Sequence, residues 1–246
     1  MYGLHFISDD DIYNHVKNTV ELYRNSINLE EFNQNIIDPI KMTFDSKLYG
    51  YTIEQMIVQE CIRQIDKTNS NHIGYFHQNL FKYAGNGWAV PANGENGFDI
   101  VNIDKHIYCE LKNKHNTMNS SAATANYLKM QDKILKDDKA TCYLVQVIAK
   151  HSVDEPWVIS LKGIQYNHYR IRKISIDKFY NLVFGEPDCF MRLCKALPNI
   201  LNDIIQDMPS AKLTNTVLDE LGVLNQDIFR SLYLLAFSTY EGFSNF

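Results

Sequence analysis

Apolar positions recur at helical spacing through the first third of the chain and change to strand-like alternation near its middle. Ile12, Val16, Val20 and Leu22 predict a helix over residues 10–25, with Ser8, Asp9 and Asp10 as candidate caps. Ile53, Met56, Ile57, Ile62 and Ile65 predict a second over residues 52–67. Gly85-Asn86-Gly87 and Asn93-Gly94-Glu95-Asn96-Gly97 read as turns, because glycine and asparagine accept positive φ, and no Gly-Lys-Ser/Thr follows to make a phosphate loop. Residues 98–103 then read as a strand, Asp104-Lys105 as a polar break, and the residues from His106 as a second strand. Ser120 or Ser121 can cap a helix through Lys136 whose inward face is Tyr127, Met130, Ile134 and Leu135, and residues 142–149 form an apolar run typical of a buried strand. Strand, helix and strand in succession imply a right-handed crossover and a parallel pair. Residues 157–161 predict an edge strand, and 176–183, 189–205 and 217–237 predict helices.

The expected fold class is therefore α/β: a mixed β-sheet with an antiparallel hairpin and a βαβ crossover, flanked by helices. One domain over residues 1–246 is expected, with a helical N-terminal part (1–70), a core (71–165) and a helical C-terminal part (166–246).

The hairpin carries the chemistry. A tight two-residue turn pairs Ile103 with His106 and sets Asp99 directly opposite Glu110. Opposed residues on antiparallel strands share a face with β-carbons about 4.5–5.5 Å apart, close enough for two carboxylates to hold one divalent cation. Lys112 joins them by alternation, while Ile107, Cys109 and Leu111 face the other way. Facing carboxylates settle by sharing a proton or binding a cation, and a neighbouring lysine favours the ionised form. Such a trio suits metal-assisted hydrolysis of a phosphodiester. Asp-Lys is not a preferred hairpin pair, and an odd-length loop would shift the register; the Glu-x-Lys could then be a solvated ion pair on an exposed strand.

Asp99 followed by Glu110-Leu111-Lys112 resembles the Asp...(Asp/Glu)-x-Lys signature of the PD-(D/E)XK nuclease superfamily, with Phe98 in place of the nominal proline. The words Asp38-Pro39-Ile40-Lys41, Gly74-Tyr75-Phe76-His77-Gln78-Asn79 and Glu110 through Ser121 resemble type II restriction endonucleases related to AvaII and SinI. The resemblance runs over most of residues 30–180. It implies Mg²⁺-dependent cleavage of double-stranded DNA at GG-(N or W)-CC-like sites, with Asp99 and Glu110 as metal ligands, Lys112 positioning the water, and Mn²⁺ expected to substitute. It also implies an acid on the preceding helix that completes the metal environment. Glu60 is the candidate, with Glu54 as runner-up. Glu60 projects from the side of Ile53, Met56 and Ile57, so it needs a partner, and Arg63 or Gln64 would serve equally.

Asn113, Lys114, His115, Asn116, Thr117, Asn119, Ser120 and Ser121 form a polar run that leaves the second strand and enters a helix N-terminus. Free N–H groups there favour a phosphate, and these side chains can also bond base edges. DNA contact next to the scissile bond is expected of this run, the alternative being a capped, solvated loop. His77 and Gln78 are candidates for reading DNA or for hydrogen-bonded core positions. The remaining histidines lack metal-ligand spacing.

Composition changes this picture in one respect. A formal net charge of -5 is awkward for a DNA-binding protein, whose affinity depends on cations meeting phosphates, so positive charge must be concentrated locally. Residues 105–139, with seven lysines against four acids, and 162–178, with Lys162, Arg170, Arg172, Lys173 and Lys178 against Asp177, are the two net-positive stretches. Five cysteines without a Cys-x-x-Cys pair argue against structural zinc or a disulfide frame and for a reducing compartment. No apolar run approaches the roughly 18 residues that span a membrane, so a soluble, unexported cytoplasmic prokaryotic protein is expected. A palindromic target would suit a homodimer, for which the 217–237 helix is one candidate surface and core packing another use. A companion DNA methyltransferase is expected genetically, not as a stable complex. The rival readings are a structure-specific nuclease of repair or recombination and a non-catalytic DNA-binding protein.

Overall fold

A computed structural model describes the chain except residues 36, 93–96, 162, 207, 209–212, 241, 242 and 244–246. The expected turn at 93–96 and the charge of Lys162 lie outside the described residues. In chain order the elements are α1 (Asp9–Leu22), β1 (Ser26–Ile27), α2 (Leu29–Gln34), α3 (Pro39–Tyr49), α4 (Ile53–Leu80), a 3-10 turn (Phe81–Ala84), β2 (Trp88–Ala89), β3 (Ile100–Asn102), β4 (Ile107–Lys114), α5 (Ser120–Lys136), β5 (Thr141–Ile148), β6 (Asp154–Pro156), β7 (Ile159–Leu161), β8 (Ile164–Tyr166), β9 (Ile171–Ser175), α6 (Ile176–Phe184), α7 (Cys189–Gln206), β10 (Thr214–Asn215), α8 (Val217–Leu224) and α9 (Ile228–Phe237). They gather into two compact units that cut across chain order. Met1–Glu21 joins His72–Met208 in the first, and Leu22–Asn71 joins Pro209–Phe246 in the second.

The first unit is a mixed α/β layer structure. Its six-stranded sheet runs β2-β3-β4-β5-β9-β6, parallel through β4, β5 and β9 and antiparallel at both edges. The central strands are apolar on both faces because both faces are covered. Ile107, Cys109 and Leu111 of β4 and Tyr143 and Val145 of β5 pack into a core with α1, α6 and α7, centred on Phe81, Phe179 and Tyr180. Tyr108, Cys142 and Leu144 pack on the opposite side under Tyr127, Met130 and Ile134 of α5. Leu135, expected on that inward face, is instead 79% exposed.

β9 escaped the sequence reading for a physical reason. Its buried residues Ile171 and Ile174 are three apart and enter opposite cores, so no two-residue alternation appears. The residues between them, Arg172 and Lys173, pair with Asp154 and Glu155 of neighbouring β6, and Arg170 donates to the carbonyls of Asp138 and Ala140. In the second positive stretch, Arg172 and Lys173 are thus committed to the sheet edge and Arg170 to the loop before β5. That edge belongs to β6, whereas β7 pairs with β8 in a separate two-stranded sheet.

The second unit buries Phe32, Ile57, Cys61, Leu221 and Leu232 in its own core, beside the short parallel pair β1–β10. Here α4 continues past Lys67, where Thr68-Asn69-Ser70-Asn71 disfavours helix. Tertiary bonds explain the continuation, since the Arg24 N–H donates to Asn69 Oδ1 at 2.8 Å and Asn69 Nδ2 donates to the Arg24 carbonyl at 3.1 Å. The single helix expected over 217–237 is two, α8 and α9. Asn225 Oδ1 accepts the Asp227 N–H, and Asp227 then caps α9 by accepting from the Arg230 N–H. Val217, Leu221 and Leu232 from these helices are core residues. No described helix is long and apolar enough to cross a membrane. The five cysteines are unpaired, four of them buried and Cys194 exposed.

Candidate active site

β3 and β4 pair with Ile100 against Cys109, Val101 against Tyr108 and Asn102 against Ile107. The connection differs from the two-residue turn. A four-residue loop, 103–106, is closed by the His106 N–H donating to the Ile103 carbonyl at 3.1 Å, with His106 in the left-handed region at φ 54. Asn102, fully buried, accepts the Lys105 N–H and donates to the Asn86 carbonyl, pinning the loop. Both lengths are even, so the facing of side chains is unchanged. Asp99 lies just outside this ladder, at the bend before β3, and its N–H donates to the Cys109 carbonyl.

The two acids are held differently. Asp99 Oδ2 accepts the Leu111 backbone N–H at 2.8 Å, fixing the carboxylate against β4. Glu110 is 8% exposed and lies between two ammonium groups, with Lys112 Nζ 2.6 Å from Oε1 and Lys129 Nζ 2.5 Å from Oε2. Burial raises the Asp99 carboxyl above the ordinary range, and the Glu110 charge adds to this; the Leu111 N–H and the two lysines only partly offset them. For Glu110 burial acts in the same direction, but the hydrogen bonds from Lys112 and Lys129 outweigh it and hold the group below the usual value.

Lys129 is the participant that sequence reading missed. It comes from α5, also donates to the Gly97 carbonyl at 2.6 Å, and lies 4.7 Å from the centre of the Phe98 ring. Four residues on, Lys133 covers the Tyr108 ring at 3.9 Å. The available signal was the i, i+4 spacing of these lysines beside the apolar face of α5.

The Glu110 carboxylate and the Gly97 carbonyl are oxygen donors of the kind a hard divalent ion takes, the Lys129 ammonium already rests on both, and the Asp99 carboxylate lies near enough to feel the charge of Glu110. No cluster of three acids, histidines or cysteines occurs among the described residues. Glu60 is not among the residues brought together here. It belongs to the second unit, where Arg63 donates to both of its oxygens at 2.6 Å and Gln64 donates at 3.0 Å. Glu54, largely exposed on the first turn of α4, belongs to the same unit.

His77 and Gln78 lie on the last turns of α4 and diverge. Gln78 Nε2 donates to the Asp99 carbonyl at 3.3 Å, so it braces the site from behind. His77 is buried against Phe76 and Phe190, and burial together with nearby His15 pushes it down to about 4, leaving a neutral core imidazole where a DNA-reading group would need exposure. In the polar run, Lys114, His115, Asn116, Thr117, Asn119, Ser120 and Ser121 are exposed and Asn113 is half-buried. Asn119 caps α5, its Oδ1 accepting the Ala122 N–H at 2.8 Å.

Similarity to known proteins gives the class: the chain is a site-specific deoxyribonuclease of the restriction type, acting on double-stranded DNA. More narrowly, it belongs to the Eco47II restriction endonuclease family, whose model matches residues 4–206. It is 30% identical to the type II restriction enzyme Sau96I of Staphylococcus aureus over 220 residues, 85% of this chain and 84% of that protein. It is 29% identical to the type II restriction enzyme Eco47II of Escherichia coli over 217 residues, 83% of this chain and 89% of the relative.

Proposed function

We propose that this chain is a Mg²⁺-dependent type II restriction endonuclease of the PD-(D/E)XK kind, cleaving at a short GGNCC- or GGWCC-like site. The observation that supports the reading is the nearness of the two acids and the lysine: the charges of Glu110 and Lys112 both act on Asp99, and Lys112 Nζ bonds Glu110 Oε1. Asp99 and Glu110 would hold one or two Mg²⁺ ions. When bound, the metal supplies charge stabilisation at the phosphoryl oxygen and a more acidic water. Lys112 orients that water and offsets charge building on the phosphate. Gln78 and the Leu111 N–H keep Asp99 in place. Mn²⁺ is expected to substitute, since it too accepts oxygen ligands.

The run from Asn113 to Ser121 is the proposed DNA contact. Asn119→Ala is expected to cost about 1 kcal/mol of stability through the lost cap. Lys114→Ala should leave stability unchanged and weaken DNA binding, with a smaller dependence of affinity on salt as one phosphate contact disappears. Normal binding and cleavage by both variants would remove this run from the interface. A homodimer, each subunit cutting one strand of a palindrome, and a companion methyltransferase protecting the same site complete the proposal, in a prokaryotic cytoplasm.

Digestion of a plasmid of known sequence with the protein and Mg²⁺ tests the reading. Discrete fragments, with ends mapped on both strands to one GGNCC- or GGWCC-like sequence, are expected. A smear, nicking at branched structures, or binding without cleavage in Mg²⁺ and Mn²⁺ would overturn it.

A further inference from the structure

Lys129 has no place in the Asp...Glu-x-Lys pattern, yet its ammonium has more partners than that of Lys112 among the described residues. Its ammonium meets Glu110 Oε2 at 2.5 Å and the Gly97 carbonyl oxygen at 2.6 Å, so a carboxylate and a carbonyl converge on one positive centre. Those are the donor types a hard divalent ion takes. Lys112 differs, because its described partner is the other Glu110 oxygen alone. The Lys129 side chain is 32% exposed and arises from α5, so its ammonium has solvent to move into without any backbone change. We propose that Lys129 is an exchangeable counter-ion of Glu110 that sets the affinity of the site for divalent cations, the ion and the ammonium occupying the same pair of oxygens in turn. This rests on the metal-centre reading above.

The arrangement has a consequence for order of assembly. While Lys129 neutralises Glu110, the site has little need of a second cation. A phosphate arriving with DNA offers the ammonium a new anionic partner, and Glu110 then becomes available to an ion. Lys129 is thus a positioning residue that makes ion uptake and DNA engagement favour each other.

Mn²⁺ titration of the full chain, freed of metal and without DNA, provides the test, followed by the electron paramagnetic resonance of unbound ion. Lys129→Met is expected to bind Mn²⁺ about tenfold tighter, the order expected when one charge-assisted competitor is lost. Lys129→Gln, which keeps a donor for the Gly97 carbonyl but no charge, should shift the same way, with circular dichroism showing an intact fold. The native protein supplies a measurement that needs no variant: Mn²⁺ should raise the acylation of Lys129 by an amine-reactive ester, read by peptide mass spectrometry. Saturable binding with no gain in the folded variants and no change in acylation would overturn the exchange while leaving the metal centre standing. Absence of saturable binding in every protein would overturn the metal centre and the exchange with it.

Discussion

Asp99→Asn is expected to lose at least about 10³-fold in cleavage while becoming more stable than the native protein at neutral pH. The loss follows from removing one of the two neighbouring carboxylates of the proposed metal site. The gain in stability follows from the cost of keeping Asp99 ionised. Burial first, and then the charge of Glu110, raise its carboxyl above the ordinary value. A carboxyl raised on folding stabilises the native state below its unfolded pKa, and that contribution is lost as pH rises through the folded value. At neutral pH the ionised group is therefore a net burden. Asparagine removes the charge and keeps an oxygen where the Leu111 N–H donates. Thermal melts should show the variant ahead at pH 7 and the difference closing in acid, where Asp99 takes up a proton. A variant that cleaves normally, or melts lower at pH 7, would contradict this account.

The pairing of β3 with β4 was legible because strand parity is robust: an even-length loop of either two or four residues keeps Ile100 opposite Cys109. β5 was readable as a continuous apolar run, buried on both faces, and the helices over 176–184 and 189–206 because their buried sets repeat at helical spacing. β9 was not, because a strand at the junction of two cores sends its apolar residues to both faces and its charges to a neighbouring strand. The division into two units was also hidden. It joins residues 22–71 to the chain's last segment, and local periodicity carries no record of such long-range pairing.

Individual roles at the site divided along the same line. Local geometry put Lys112 beside Glu110, two residues away on the same strand. Lys129 is 19 residues away on a helix, and only tertiary packing of α5 over β4 delivers it. Glu60 went the opposite way. Its need for a partner was foreseeable from its place beside apolar residues, and Arg63 one turn on met that need locally.

Glu110→Gln should abolish cleavage as completely as Asp99→Asn but move stability the other way. Glu110 is held below the usual carboxylate value: burial alone would raise it, and the hydrogen bonds from Lys112 and Lys129 prevail. A carboxyl lowered on folding stabilises the native state above its unfolded pKa, and that contribution disappears as pH falls through the folded value. Glutamine leaves two ammonium groups, each about one-third exposed or less, around a neutral amide that can accept from them only as a dipole. The expected cost at pH 7 is about 1–3 kcal/mol, below the figure for a fully buried pair because solvent reaches both lysines. In acid the native protein should lose this advantage and the two melting curves converge. Melting temperature against pH for the native protein and the two variants should therefore fan out toward neutrality, with Asp99→Asn above the native curve and Glu110→Gln below it. If both variants shifted in the same direction at pH 7, the two carboxylates would not occupy the unlike environments on which one raised and one lowered acid depend.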